Sequence, residues 1–254
     1  MREPEFITDW GGRLHAGIAL LNPREFALAL ARCPYCGPSV FVRLRRDETG
    51  VRCTRCAASA VHLALGWVLR DRVVRLGDCD ACELSARGPL VAFLRRSARS
   101  LATSEYFADV APGTSRNGVR CEDIQRLTYA DASFDLVTHT EVFEHVTDDA
   151  RAFAELARVL RAGGATVFTV PMHEGECTTE RARLRDGVIE HLHAPVYHTD
   201  PLRAGPGILA FRDYGYDILD RLRGAGFAEA VLVTPVQRIP WIVPRAVVVA
   251  RKPA

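Results

Sequence analysis

Lysine is nearly absent: Lys252 is the only one, and the other basic residues are arginines. So strong a bias points to genome composition and not to chemistry. No run of eighteen apolar residues occurs, which excludes a membrane-spanning helix. The opening Met1-Arg2-Glu3-Pro4-Glu5 has neither the basic cluster nor the apolar core of a secretory signal, so a cytoplasmic protein is expected. A large charge of either sign is also missing. The net charge of +2 excludes the strongly basic profile of a dedicated nucleic-acid binder. Residues 1–75 hold 12 arginines against 7 acidic residues, a local excess that a solvated surface explains as well as an acidic partner does.

What is present begins with cysteine. Eight cysteines in a chain expected to be reduced need a reason other than disulfides. Cys33-Pro-Tyr-Cys36-Gly37 and Cys53-Thr-Arg-Cys56 are two C-x-x-C pairs. Each pair puts two thiolates on one backbone turn, and a hairpin between the pairs brings both turns into a tetrahedral four-sulfur site. Zinc suits such a site because it accepts soft ligands without redox chemistry. Four protein thiolates leave no place for a catalytic water, so this zinc is expected to be structural. Val40-Phe-Val-Arg-Leu44 supplies strand composition and Asp47-Glu-Thr-Gly50 turn chemistry. The apolar stretch Phe26–Leu30 reads as a lead-in helix from near Pro23, and Val61–Arg70 as a linking helix.

From about Cys79 short apolar strands alternate with helical segments, as in a largely parallel α/β sheet. Strands are expected at Ala81–Ser85, Leu101–Glu105, Val119–Glu122, Phe134–His139, Ala165–Val170, Ala230–Thr234 and Ala246–Ala250. Helices fit Pro89–Ala98, Asp148–Arg161 and Tyr214–Arg223, with Gly163-Gly164 and Gly224-Ala-Gly226 as helix-to-strand connections. The expected organisation is a ribbon module with its linker helix over residues 1–75 and an α/β domain over 76–254. A substrate-covering insertion is expected at about 172–214.

In such sheets ligands sit at the carboxyl ends of the strands. The first strand end carries Glu83, Ser85, Arg87 and Gly88, the last two leading into Pro89 at a helix start. The second carries Glu105, able to accept bonds from two ribose hydroxyls, and Tyr106. The third carries Glu122, Asp123 and Ile124, a carboxylate for an adenine amino group beside an apolar residue for its ring. The fourth ends at Thr140 and Glu141. Taken singly, such carboxylates are also what solvated strand ends show.

Residues 79–252 resemble the class I S-adenosylmethionine-dependent methyltransferases, of the methyltransferase type 11 group. The resemblance rests on Ser133-Phe-Asp-Leu-Val137, Glu141-Val-Phe-Glu-His-Val146, Glu155-Leu-Ala-Arg-Val-Leu-Arg-Ala-Gly-Gly164 and Phe168-Thr-Val-Pro171. It implies a Rossmann-like, mostly parallel seven-stranded sheet with helices on both faces, and S-adenosylmethionine as cofactor. The family's first loop usually carries alternating glycines. Here Ser85, Arg87 and Pro89 replace them and Gly88 remains, while Arg87 offers a bidentate fork to the cofactor carboxylate.

The resemblance places the residues after the fourth strand opposite the transferable methyl. Glu141, Glu144 and His145 are the candidates, with His145 the preferred base because its ordinary pKa lies nearest neutrality. The Glu-x-x-Glu-His arrangement also resembles the divalent-metal pattern of ubiquinone-pathway O-methyltransferases and small-RNA terminal 2′-O-methyltransferases, so a second metal near Glu141, Glu144 and His145 is a further expectation. His173, His191, His193 and His198, with Arg181, Arg183, Arg185 and Arg203, are insertion residues suited to a substrate pocket. A small-molecule acceptor for O- or N-methylation is expected, with the ribbon serving structure or a homodimer. Nucleic acid as acceptor is disfavoured by the near-neutral charge, and a cofactor-free adaptor is the third reading.

Overall fold

The computed structural model describes residues 22–46, 50–72, 75–198, 207–236, 238–239, 241–242 and 245–254. Strands β1 (Ala27–Cys33), β2 (Gly37–Arg43) and β3 (Val51–Cys53) form an antiparallel sheet in that order. The expected lead-in helix is therefore β1. Its alanines are half-buried while Leu28 and Leu30 lie exposed. Pairing with β2 from Cys33↔Gly37 to Ala27↔Arg43 fixes the conformation, and no apolar helix face is formed. The hairpin expected between the cysteine pairs is β2–β3. Residues 47–49 of its turn lie outside the described residues.

Helix α1 (Ala60–Arg72) follows the ribbon and touches both it and the larger sheet. Gly66 permits the approach: a Cβ there would stand 2.7 Å from the Tyr35 ring and 2.8 Å from Pro34. The Tyr35 hydroxyl donates to the His62 carbonyl, and its ring meets Phe93 edge-on at 5.4 Å. Apolar packing runs without a break from Phe41 through Leu65 and Leu69 to Leu136, Val167 and Val249 of the main sheet.

That sheet comprises β4 (Asp80–Glu83), β5 (Ser100–Thr103), β6 (Phe134–Thr140), β7 (Leu160–Thr169), β8 (Glu229–Val233) and β9 (Val247–Arg251), ordered β8-β9-β7-β6-β4-β5. The β5-β4-β6-β7 pairings are parallel, and β9 runs antiparallel to both its neighbours. Neighbouring residues on one strand face opposite ways. Thus Leu136, Val167 and Val249 pack under α1 and α2 (Pro89–Ser97), whereas Val137, Phe168 and Val248 pack under α3 (Asp149–Val159) and α4 (Ile218–Gly224).

Two expectations are corrected here. Among the described residues the sheet has six strands where seven are expected. Val119–Arg120 pairs instead with Ser115–Arg116 around Asn117-Gly118, both at positive φ as a tight hairpin turn requires, and only Glu105↔Cys121 bridges to the sheet rim. The Gly163-Gly164 connection lies inside β7. Its register jumps from Phe134↔Leu160 to Leu136↔Ala165, so the residues between bulge out.

The insertion is built of short antiparallel pairs: Thr179–Glu180 with Arg212–Asp213, Ala182–Arg185 with Val188–His191, and Tyr197–His198 with Ile208–Leu209. Arg203 lies outside the described residues. Among those described, no helix is long and apolar enough to cross a membrane.

Candidate active site

The first strand runs into a loop whose only positive-φ residue is Gly88 (φ 113), immediately before Pro89 opens α2. Ser85 and Arg87 therefore stand where the backbone has no need of glycine. The Ser85 hydroxyl donates to the Arg87 carbonyl at 3.0 Å and tightens the loop. Glu105, buried at the end of the second strand, accepts from the Ala86 amide at 3.1 Å and the Ser85 hydroxyl at 3.3 Å. Its carboxylate thus joins the first two strand ends. Glu83 is buried one residue before the loop, bonded by the Thr138 hydroxyl, and burial raises its pKa well above the carboxylate range.

Tyr106 is exposed and, with Asp123, lines an open cleft of about 720 Å³. Thr147 and Asp148 at the start of α3, and Leu184 of the insertion, also line it. Ile124 is buried beside Asp123. Glu122 belongs to a different network: it accepts from Arg120 Nε at 2.6 Å and from the Thr128 amide and hydroxyl at 2.8 and 2.6 Å. Asp123 is consequently the carboxylate of this pair that faces the cleft.

At the fourth strand end Thr140 pairs with Thr169, and Glu141 follows in the left-handed region at φ 52. Its Oε2 accepts from Arg245 at 2.9 Å, whereas Oε1 is buried without a partner. Burial first, and then Glu144, lifts the Glu141 pKa to about 7 against the pull of Arg245. Glu144 is fully buried. His145 Nε2 and His198 Nδ1 lie 3.5 and 3.6 Å from its Oε1. His145 Nδ1 is 2.9 Å from the Leu209 carbonyl, which makes it the protonated nitrogen, and burial lowers the pKa of this imidazole. His173 stands apart, its Nδ1 accepting from the Gly175 amide at 2.9 Å. His191 and His193 are exposed.

Arg212, in the segment Phe211–Gly215 expected to close the insertion against the pocket, clamps this turn. It is buried and donates to the carbonyls of Phe143, Val146 and Thr147 at 3.2, 2.7 and 3.2 Å, with Glu180 as counter-ion at 3.1 Å. Arg245, a residue without a signal of its own in the sequence, also holds the turn, through Glu141.

In the ribbon, Cys33 and Cys56 sulfurs are 3.6 Å apart and Cys36 and Cys53 sulfurs 3.5 Å, with all four within 4.8 Å of one another. Zinc–sulfur bonds of about 2.3 Å put tetrahedral sulfurs about 3.8 Å apart, so the donors fit that ion. The Cys56 thiol pulls Cys33 down to about 5, while burial lifts Cys36 to about 11. A divalent cation is what lets four such thiols ionise together. Both knuckles place a left-handed residue after the second cysteine, Gly37 (φ 81) and Ala57 (φ 61).

Among curated proteins, a Mycolicibacterium smegmatis protein described as an S-adenosylmethionine-dependent methyltransferase is 29% identical over 140 residues, 50% of this chain and 51% of that one. The sarcosine/dimethylglycine N-methyltransferase of Halorhodospira halochloris is 45% identical over 49 residues, 19% of this chain and 18% of that one. The chain thus spans about half the length of the first relative and about a fifth of the second. A solved S-adenosylmethionine-dependent methyltransferase from Mesorhizobium loti superposes with a TM-score of 0.49 at 20% identity, covering 74% of this chain and 98% of that one. The stretch from the first loop to β7, residues 85–168, matches the family described as a methyltransferase domain.

Proposed function

We propose that the protein is a cytoplasmic methyltransferase that moves the methyl group of S-adenosylmethionine onto an oxygen or nitrogen of a small molecule, and that its ribbon holds a structural zinc. One observation carries the reading: within the stretch matching a methyltransferase domain, Glu105 is bonded to the first loop at Ser85 and Ala86, and its neighbour Tyr106 lines an open cleft with Asp123.

When bound, S-adenosylmethionine supplies an electrophilic methyl on a sulfonium. Glu105 would accept from its ribose hydroxyls, Tyr106 would flank the adenine, and Asp123 would accept from the adenine amino group. Arg87 would pair with the carboxylate through a planar fork. In-line transfer needs chiefly alignment, worth on the order of 7–11 kcal/mol at best.

An acceptor hydroxyl or ammonium must also lose a proton. His145 is the weaker candidate for taking it, because its Nδ1 is tied to Leu209 and its Nε2 faces Glu144 and His198. Glu141, half-buried and titrating near neutrality with one oxygen unpartnered, is the proton acceptor of this proposal.

Calorimetry of the zinc-loaded protein with S-adenosylhomocysteine tests the reading. Saturable binding is expected, weakened about tenfold or more in Glu105→Ala by loss of charge-assisted hydrogen bonds. No heat at millimolar ligand would refute the enzyme and leave only the metal-bound ribbon.

A further inference from the structure

Pro34 and Tyr35 separate the two cysteines of the first knuckle. Neither supplies a thiolate, yet both carbonyls and the Tyr35 ring, itself 3% exposed, are engaged by the helices that cover one face of the main sheet. From α1, Arg70 Nε donates to the Pro34 carbonyl, and the His62 carbonyl accepts from the Tyr35 hydroxyl. From α2, Arg96 Nη2 donates to the Tyr35 carbonyl, and the Phe93 ring meets that of Tyr35. The guanidinium carbons of Arg70 and Arg96 stand 5.2 and 5.5 Å from the centroid of the same Phe93 ring. Each cation thus grips the knuckle through a hydrogen bond and α2 through the face of its aromatic ring.

Helix α2 needs that anchorage. It has nine residues, and isolated helices shorter than about 12–15 residues are marginal in water. Its position therefore comes from its buried face, Leu90, Val91, Phe93 and Leu94. Its first turn also closes the cofactor loop: the Gly88 carbonyl accepts from the Ala92 amide at 3.0 Å, one residue before Phe93. Nearer β4, Glu105 accepts from the Ala86 amide. A glycine-poor loop held at Ala86 and at Gly88 has little freedom to adjust its own shape. Its place is set by the strand rim on one side and by α2 on the other.

We infer that Tyr35 is a positioning residue for cofactor binding: by seating Phe93 of α2 it places the loop Ser85–Gly88, so that affinity for the methyl donor depends on an intact ribbon. This role rests on the proposed function, in which that loop receives S-adenosylmethionine. It gives the ribbon a task at the site although no ribbon residue lines the cleft. Opening the four-sulfur cluster frees the Pro34-Tyr35 turn, releases the Phe93 ring and lets α2 shift with the loop it carries. Coupling between two binding sites is reciprocal. A ligand held by the loop must therefore tighten the ribbon's hold on its ion by the same factor.

Calorimetry with S-adenosylhomocysteine on the whole zinc-loaded chain reads this role, with zinc counted per chain in every variant. Tyr35→Leu and Arg96→Ala are each expected to bind about fivefold or more weakly, with the number of sites unchanged. Fewer sites at the parent's affinity would mean a fraction of unfolded chains and would overturn the role. Tyr35→Phe keeps the ring on Phe93 and is expected to restore affinity to near the parent's. Arg96 is exposed, so Arg96→Ala decides alone where Tyr35→Leu fails to fold. Saturating S-adenosylhomocysteine is expected to make zinc about fivefold or more harder to extract from the parent in competition with a chelator, and less so in Arg96→Ala. Parent-like affinity in Tyr35→Leu and Arg96→Ala, or zinc extraction indifferent to the ligand, would overturn the coupling. An absence of binding in the parent would instead refute the proposed function.

Discussion

Arg245 Nη1 donates a 2.9 Å hydrogen bond to Glu141 Oε2, tying the turn after β6 to the chain that enters β9. The guanidinium favours the carboxylate form, whereas burial and Glu144 favour the acid, and the balance leaves Glu141 titrating at about 7. Below that pH the group carries a proton and accepts none. Turnover per encounter, kcat/KM, is therefore expected to rise through pH 7. Arg245→Met removes the opposing charge, raises the Glu141 pKa further and moves the rising limb to higher pH. Glu141→Gln is expected to flatten the limb and lower the plateau by about 10²–10⁴-fold. A limb unaltered in Glu141→Gln would end its role as base.

The ribbon offers a matched pair of backbone tests. Ala57 is exposed and left-handed, so Ala57→Gly relieves strain and is expected to stabilise by up to about 1 kcal/mol. Gly66 has the opposite problem. An added methyl meets Tyr35 and Pro34 inside 3 Å, and Gly66→Ala is expected to destabilise by about 1–3 kcal/mol. Urea unfolding of the zinc-loaded variants checks both signs.

Stability in acid should be governed partly by two histidines. Burial lowers His62 to about 4 and His139 to about 3, so both are neutral in the folded chain. The unfolded chain takes up their protons first, below about pH 6.5. Their contribution is complete above that pH and is lost progressively as pH falls towards the folded values. The loss is on the order of 3 kcal/mol per histidine by pH 4. His139→Phe keeps the stacking against Phe168, whose centroid lies 4.5 Å away, and is expected to shift the acid midpoint downward. An unmoved midpoint would contradict this.

Zinc removal is expected to reach beyond the ribbon, because Tyr35 packs on Phe93 of α2. A strong chelator, or Cys53→Ser, should remove one zinc per chain and lower the Tm by about 10 °C or more, since structural zinc contributes several kcal/mol or more to folding. A Tm that holds steady after zinc loss would contradict the structural role.

Much of the fold could be read from residue patterns. Phe134–Thr140 and Pro89–Ser97 lie within one residue of their expected limits, because apolar runs and a proline at the helix start are local signals. β1 was hidden by its alanines and leucines. They are helix formers, and only the turn between Cys33 and Gly37 makes them a strand. Asn117-Gly118 and Asp186-Gly187 are turn dipeptides at positive φ where no hairpin was expected, and the first explains why Val119 leaves the main sheet. No spacing rule joins His198 to Glu144 or Arg245 to Glu141. Those meetings depend on how the insertion and the final strands fold back.

Arg212 has one more implication. A guanidinium that satisfies three main-chain oxygens in one short turn makes that turn costly to reshape, since any rotation would strand a buried charge. Substitutions are better tolerated in the outlying hairpin at Leu184 and Ile189, where the side chains are exposed.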